Sequence, residues 1–139
     1  MKLPPLAATS LLLFSFLAAG CGPKLVPVTG IAARQGKPVT HLSLIFAPLQ
    51  GRPLWGATDD QGRFELHFEQ GQKGVPLGTY KVSVNFQPRT AQEEFDIMSG
   101  KLQYHPDKDL ILQKYGNPST TSLVVQITHA NQEIQLNLD

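Results

Sequence analysis

Residues 64–68 of the 139-residue chain read Phe-Glu-Leu-His-Phe, and residues 80–86 read Tyr-Lys-Val-Ser-Val-Asn-Phe. In both stretches apolar and polar side chains alternate strictly, which is the period-two pattern of a strand that buries one face. Residues 42–46 alternate in the same way, with Leu or Phe at every second place. These three stretches predict an all-β domain.

Four further stretches, 28–32, 55–58, 123–127 and 134–138, also fit short strands. Turn signals separate the strands about every ten residues. Gly36 is suited to positive φ between Arg34 and Pro38, and Asp59-Asp60-Gln61-Gly62 fits a type I turn with Asp first and Gly fourth. Seven strands spaced in this way predict an antiparallel sandwich of two sheets over one core. Only one cysteine is present, so packing alone must hold the core together.

Residues 88–121 break this rhythm and form an insert between the strands. Pro106-Asp107 is suited to opening a short helix that carries Leu110, Ile111 and Leu112. Gly116 and Pro118 would end it. We therefore expect one short helix in the insert.

The N-terminus combines a positive start with a short apolar run. Lys2 precedes Leu6 to Ala19, and the small residues Ala18-Ala19-Gly20 come immediately before Cys21. This length suits a signal peptide and is too short to span a bilayer comfortably. The arrangement resembles the lipobox of bacterial lipoproteins, although leucine lies four places before the cysteine rather than three. The resemblance implies cleavage before Cys21 and diacylglyceryl and acyl (palmitate-like) chains on Cys21. The alternative is an ordinary secretory signal that leaves Cys21 as a free thiol.

The predicted organisation is a lipoprotein signal peptide at 1–20, a lipidated tether at 21–27 and a single domain at 28–139. Two or three acyl chains would anchor the protein to a membrane, whereas one chain binds only marginally. By analogy with the best-known sorting system, Gly22 after the cysteine favours the outer membrane, because aspartate there would signal retention in the inner membrane. We expect an exported protein of the cell envelope.

The charge pattern bears on the class of partner. All eleven acidic residues and eleven of the twelve basic residues follow residue 20, so the mature chain has a formal charge near zero. No basic stripe marks a nucleic-acid surface. We expect no nucleic-acid partner and no polybasic membrane segment.

Several short motifs occur in one order along the domain: Val28-x-Gly30, Gly36-Lys37-Pro38-Val39, Leu44 to Pro48, Thr58 to Phe64 and Pro76-x-Gly78-x-Tyr80-Lys81-Val82. They resemble those of the carboxypeptidase regulatory-like domain, which belongs to the transthyretin-like (prealbumin-like) sandwiches. The later stretch Lys114 to Thr120 is similar to the C-terminal part of small lipoproteins built on this domain. The resemblance implies a seven-stranded Greek-key sandwich, with Phe64, Tyr80 and Val82 in the core.

The motifs set turns and fill the core, and none of them supplies a catalytic group. The four histidines, at 41, 67, 105 and 129, lack metal-ligand spacing. Glu93 to Asp96 and Asp107 to Asp109 leave open a divalent-ion site in the insert. We expect no cofactor and no enzymatic activity.

We therefore predict a non-enzymatic binding or structural module at the membrane, with an envelope protein or a polysaccharide as its partner. Binding would use loops at one end, an exposed sheet edge, or the 88–121 insert. Two alternatives remain open. One is a small hydrolase or metal-dependent enzyme in the insert. The other is a carbohydrate-binding module that uses Trp55, the only tryptophan, and that alternative requires Trp55 to be exposed on a flat face.

Overall fold

The computed structural model describes residues 2, 24–68, 72 and 74–139. Apart from Lys2, the predicted signal peptide lies outside the described residues, and so does the predicted lipid attachment site, Cys21. No helix in the described part of the chain has the length and apolar character needed to cross a membrane.

The described chain is mostly β, with ten strands and two short helices. All seven predicted strands are present, and three two-residue strands accompany them. The strands are β1 (Leu25–Val26), β2 (Val28–Arg34), β3 (Lys37–Pro38), β4 (Leu42–Pro48), β5 (Leu54–Ala57), β6 (Arg63–Glu65), β7 (Val75–Pro76), β8 (Gly78–Phe86), β9 (Val124–Ile127) and β10 (Gln132–Asn137); the helices are α1 (Ala91–Met98) and α2 (Lys108–Tyr115).

Two four-stranded sheets are formed. The first has the order β5-β4-β8-β9, and every pair in it is antiparallel. In the second, β2 is central, with β10 on one side and β3 and β6 on the other. A small third sheet pairs β1 with β7.

One pair corrects the expectation of a purely antiparallel structure, because β10 runs parallel to β2 in a register from Gln132↔Val28 to Asn137↔Ala33. The reason lies in the preceding turn. Strand β9 ends where Ile127 pairs with Gly78, and the backbone N–H of Asn131 then donates to Pro27 O at 2.8 Å. The chain thus reaches the second sheet beside the start of β2, so both strands leave from the same end.

The alternating patterns bury the predicted faces. Leu42, Leu44 and Phe46 in β4 are buried, as are the apolar residues of β8. Side chains from both sheets belong to one hydrophobic cluster, in which the Phe46 ring lies 6.1 Å from that of Phe64 and 6.5 Å from that of Tyr80. The two sheets therefore share a single core.

The turns follow the predicted chemistry. Gly62 N donates to Asp59 O at 3.1 Å, and the Asp59 carboxylate accepts from the N–H groups of Gln61 and Arg63. Those two bonds, that of Arg63 first, hold the pKa of Asp59 below its ordinary value. Gly36 has φ +77°, which confirms the left-handed turn.

The insert contains two helices rather than one. Helix α2 matches the prediction and buries Ile111 and Tyr115. Helix α1 was not predicted. It begins at Thr90, whose hydroxyl accepts from the N–H of Glu93 at 3.1 Å, and it buries none of its residues. Local capping therefore starts this helix without help from an apolar stripe.

The two ends of the sheets differ in composition. We call the end formed by residues 24–27, 48–53, 74–77 and 128–131 the N-terminal pole. The opposite end, formed by residues 35–41, 58–62 and 87–107 and thus including α1, is called the helical pole. Strand β8 connects the two poles and is nine residues long, about 30 Å.

Candidate functional site: a groove beside Trp55

Trp55 lies on the outer face of the first sheet, away from the core. It belongs to β5, the edge strand, where it pairs with Ile45, and its side chain is 50 % exposed. On the other side its backbone exchanges two hydrogen bonds with His67, of 2.9 and 2.8 Å. The backbone of Trp55 is thus fixed on both sides, while its indole ring is displayed to solvent.

An open groove of about 650 Å³ runs beside this ring. Its floor is the outer face of β4 and β8, where Ser43 pairs with Asn85 and Ile45 pairs with Ser83. Trp55 forms one wall. The opposite wall comes from the end of α2 and the following turn. Its lining residues are Ser43, Ile45, Trp55, Ser83, Val84, Asn85, Gln87, Leu112, Gly116, Asn117 and Pro118.

A second open groove of about 440 Å³ lies on the other side of the same ring. It shares Ser43, Trp55 and Gln87 with the first groove and adds Glu65 and His67. The ring therefore stands between two connected depressions on one sheet face.

The chemistry of the first groove is neutral and mixed. Its lining combines an indole ring with hydroxyl groups and carboxamides, and no lining side chain carries a formal charge. Carboxamides and hydroxyls both donate and accept hydrogen bonds. An aromatic face bordered by such groups is suited to a ligand that is itself apolar on one face and rich in hydroxyl groups at its edges.

A separate polar cluster occurs at the helical pole and is centred on Arg89. The guanidinium lies 2.7 Å from both Asp60 Oδ1 and Glu93 Oε1, and Glu93 Oε2 is 3.3 Å from His41 Nε2. His41 is buried with φ +60°, and its ring contacts that of Tyr104 edge-on at 5.9 Å. The cluster ties the β5–β6 turn, the start of β4 and helix α1 together.

The charged groups of this cluster pair with one another, and the pairing shifts their pKa values. The side-chain and backbone hydrogen bonds from Arg89 lower the pKa of Glu93 to about 2. Hydrogen bonds from Arg89 to Glu93 and Asp60 in turn raise the pKa of Arg89. Glu93, which pairs with His41, and Asp60 are thus both engaged with the Arg89 guanidinium, which leaves them poorly suited to proton transfer.

The structure separates the other candidate residues. His67 is exposed beside Trp55, as its place on the polar face predicted. His105 Nδ1 accepts from the N–H of Asp107, and Asp107 pairs with Arg34 at 2.9 Å, away from Glu93. Within the described residues no group of three or more His, Cys, Asp or Glu side chains could hold a metal ion.

Two features of these surfaces were not predicted from the sequence. The Arg89 cluster joins residues far apart in the sequence, such as His41 and Glu93, so no local pattern predicts it. Helix α1 did carry a signal, because Thr90 and Glu93 have the spacing of a capping box. For the groove, the sequence analysis had identified only Trp55 as a candidate binding residue.

Comparison of the chain with family models, with curated proteins and with solved structures finds no match.

Proposed function

We propose that this chain is an envelope lipoprotein, anchored through lipid on Cys21, whose transthyretin-like sandwich is a non-enzymatic binding module for a polysaccharide. The sugar chain binds in the groove beside Trp55. This role combines two partners expected from the sequence, a membrane and an envelope polysaccharide. The observation that carries the proposal is the half-exposed Trp55 ring beside a neutral groove lined by hydroxyl and amide groups.

The arrangement of the two sheets supports the proposal. The seven predicted strands divide into one sheet of β5, β4, β8 and β9 and a second sheet of β6, β2 and β10, and both contribute to one core. A two-layer arrangement with this division leaves the outer face of each sheet available for binding.

The ligand class follows from the lining. A pyranose ring has a face of C–H groups that stacks on indole, while its equatorial hydroxyls bond to groups such as those of Asn85 and Gln87. The groove is open rather than enclosed, and it continues past Trp55 to His67 and Glu65. An extended chain of sugars fits such a surface better than a single small molecule.

The 88–121 insert enters the proposal as one wall. Leu112, Gly116 and Asn117 come from this insert and face Trp55 across the groove.

The enzyme alternative requires acids and a histidine that converge in a cleft. Asp60, Glu93 and His41 do converge, but on Arg89, and they line neither of the two grooves that border Trp55.

The ligand is tested with the full-length protein in detergent, titrated with oligosaccharides prepared from envelope polysaccharide of the host. Trp55 is the only tryptophan, so its fluorescence reports this site directly. We expect a saturable change in emission, and a Kd about ten-fold weaker for Trp55→Ala by calorimetry, because a stacking contact contributes about 1 kcal/mol or more.

A matched pair of glutamine variants locates the site. Gln87→Ala removes a lining carboxamide and is expected to weaken binding. Gln126→Ala changes an exposed glutamine of β9 in the same sheet, outside the groove, and should leave the Kd unchanged. Equal Kd values for all variants would exclude this groove as the site.

The anchor is tested separately by intact-mass measurement of the protein purified from its host membranes. A mass increase that corresponds to two or three acyl chains, absent from Cys21→Ser, is expected. An unmodified thiol would contradict the lipoprotein assignment and leave the sugar titration to be judged by itself.

A further inference from the structure

Two exposed leucines stand out at the N-terminal pole. Leu49 is 94 % exposed in the loop between β4 and β5, and Leu77 is 48 % exposed between β7 and β8. Both line one open groove of about 510 Å³, which also includes Pro48 and Pro76. Neither leucine contributes to the core, so their exposure has no explanation in the packing of the domain.

This pole is also where the chain leads back to Cys21. Leu25 pairs with Pro76, the residue before Leu77, and Pro48 pairs with Tyr80 at the same end. Cys21 precedes Leu25 by four residues, which span at most about 14 Å. If Cys21 is held at the surface of a bilayer, Leu77 is held within reach of that surface.

The charges of the pole agree with an anionic surface. The segments 24–27, 48–53, 74–77 and 128–131 contain Lys24 and Arg52 and no acidic residue. The stretch 69–73, next to it in the sequence, has one acidic and one basic residue, Glu69 and Lys73, and so does not alter the net charge. Most of the acidic residues lie at or near the helical pole instead: Asp59, Asp60, Glu93, Glu94, Asp96, Asp107 and Asp109.

We propose that the N-terminal pole is a membrane-contact surface, in which Leu49 and Leu77 enter the headgroup region of the bilayer that holds Cys21. The inference rests on lipidation of Cys21. The lipid on Cys21 attaches the protein to the membrane. The two leucines, together with the nearby cations Lys24 and Arg52, fix the orientation of the domain relative to the membrane. The strands then point away from the membrane, and the helical pole is the end farthest from it.

Burial of two leucines would not anchor the protein without the lipid. Burial of a leucine side chain is favourable, and the short tether holds both leucines at a high local concentration beside the membrane. The contact therefore sets orientation rather than attachment.

The test uses the full-length lipidated protein in vesicles of phosphatidylethanolamine and phosphatidylglycerol. Single variants Leu49→Cys and Leu77→Cys are labelled with an environment-sensitive fluorophore, and the vesicles contain lipids with a quencher near the headgroup. Lipidated Cys21 has no free thiol, so only the introduced cysteine reacts. Matched controls are Phe95→Cys and Leu110→Cys, which replace apolar residues 60 % and 50 % exposed on the two helices.

We expect blue-shifted emission and at least two-fold quenching at positions 49 and 77, with little quenching at 95 and 110. Equal quenching at all four positions, or none at 49 and 77, would overturn the contact surface while leaving the lipid anchor intact. Labelling of two thiols in each variant would show that Cys21 is unmodified. That outcome would overturn the anchor and this inference together.

Discussion

Arg89 is the residue through which the helical pole is assembled. Its guanidinium bonds to Asp60 from one turn and to Glu93 from α1, and its backbone N–H also donates to Glu93 at 2.8 Å. His41 completes the group from a left-handed backbone conformation. One arginine thus replaces the apolar contacts that α1 lacks.

The pH dependence of this cluster follows from Glu93. Its pKa is about 2, against an ordinary value of 4.5, so ionised Glu93 stabilises the folded state fully above about pH 4.5. That stabilisation falls as the pH is lowered and is lost near pH 2. We expect Glu93→Gln to be less stable than the parent at pH 7, with the difference shrinking between pH 4.5 and 2.

Amide exchange over Ala91–Met98, compared between parent and variant at each pH, measures this local difference. The control is Glu94→Gln, which neutralises the adjacent acid on the same helix while leaving the Arg89–Glu93 pair in place, and which should remain close to the parent at pH 7. A constant difference between parent and Glu93→Gln from pH 7 to pH 2 would contradict the role assigned to this carboxylate.

Of the two helices, α1 is the less supported by packing. None of its residues is buried, and polar contacts hold it in place, among them the Thr90 cap and the pairs of Glu93 with Arg89 and His41. Helix α2, by contrast, buries two residues, and the hydroxyl of Tyr115 donates to Asp139 O at 2.8 Å. The two helices of the insert therefore differ in what stabilises them.

Removal of the cap is expected to loosen α1 alone. Thr90→Ala should cost about 1 kcal/mol of local stability, which corresponds to roughly five-fold faster amide exchange over Ala91–Met98. The midpoint of global unfolding should stay the same, because α1 contributes nothing to the core. Thr79→Ala, at an exposed threonine of β8, serves as the control. Loss of global stability in Thr90→Ala would show that α1 is part of the cooperative unit.

At the scale of the whole molecule, both sheets depend on one core. Leu136 of β10 is buried in it, and Leu136→Ala should lower the free energy of unfolding by about 2–5 kcal/mol. Trp55 fluorescence follows the other sheet. We expect it to change together with the far-UV circular dichroism in a single transition. Separate transitions would mean that the sheets unfold independently. The control is Gln135→Ala, at the exposed residue next to Leu136, which should change the free energy of unfolding little.

The sequence allowed the strands and their buried faces to be predicted because alternation is a local signal. The division of strands between sheets was harder, since the parallel approach of β10 to β2 depends on a turn contact between Asn131 and Pro27. The groove depended on long-range packing too. In Leu54-Trp55 both residues are apolar, so the pattern alone did not say which one faces the core.

The parallel pairing of β2 and β10 has a mechanical consequence. A pull on the chain before β2 toward one side and on the chain after β10 toward the other would slide these strands past each other. The hydrogen bonds along all six registered residue pairs, Gln132↔Val28 to Asn137↔Ala33, would then share the load in shear instead of opening one at a time like a zipper. A domain held at a membrane and pulled by a partner at its other end would resist extension along this axis.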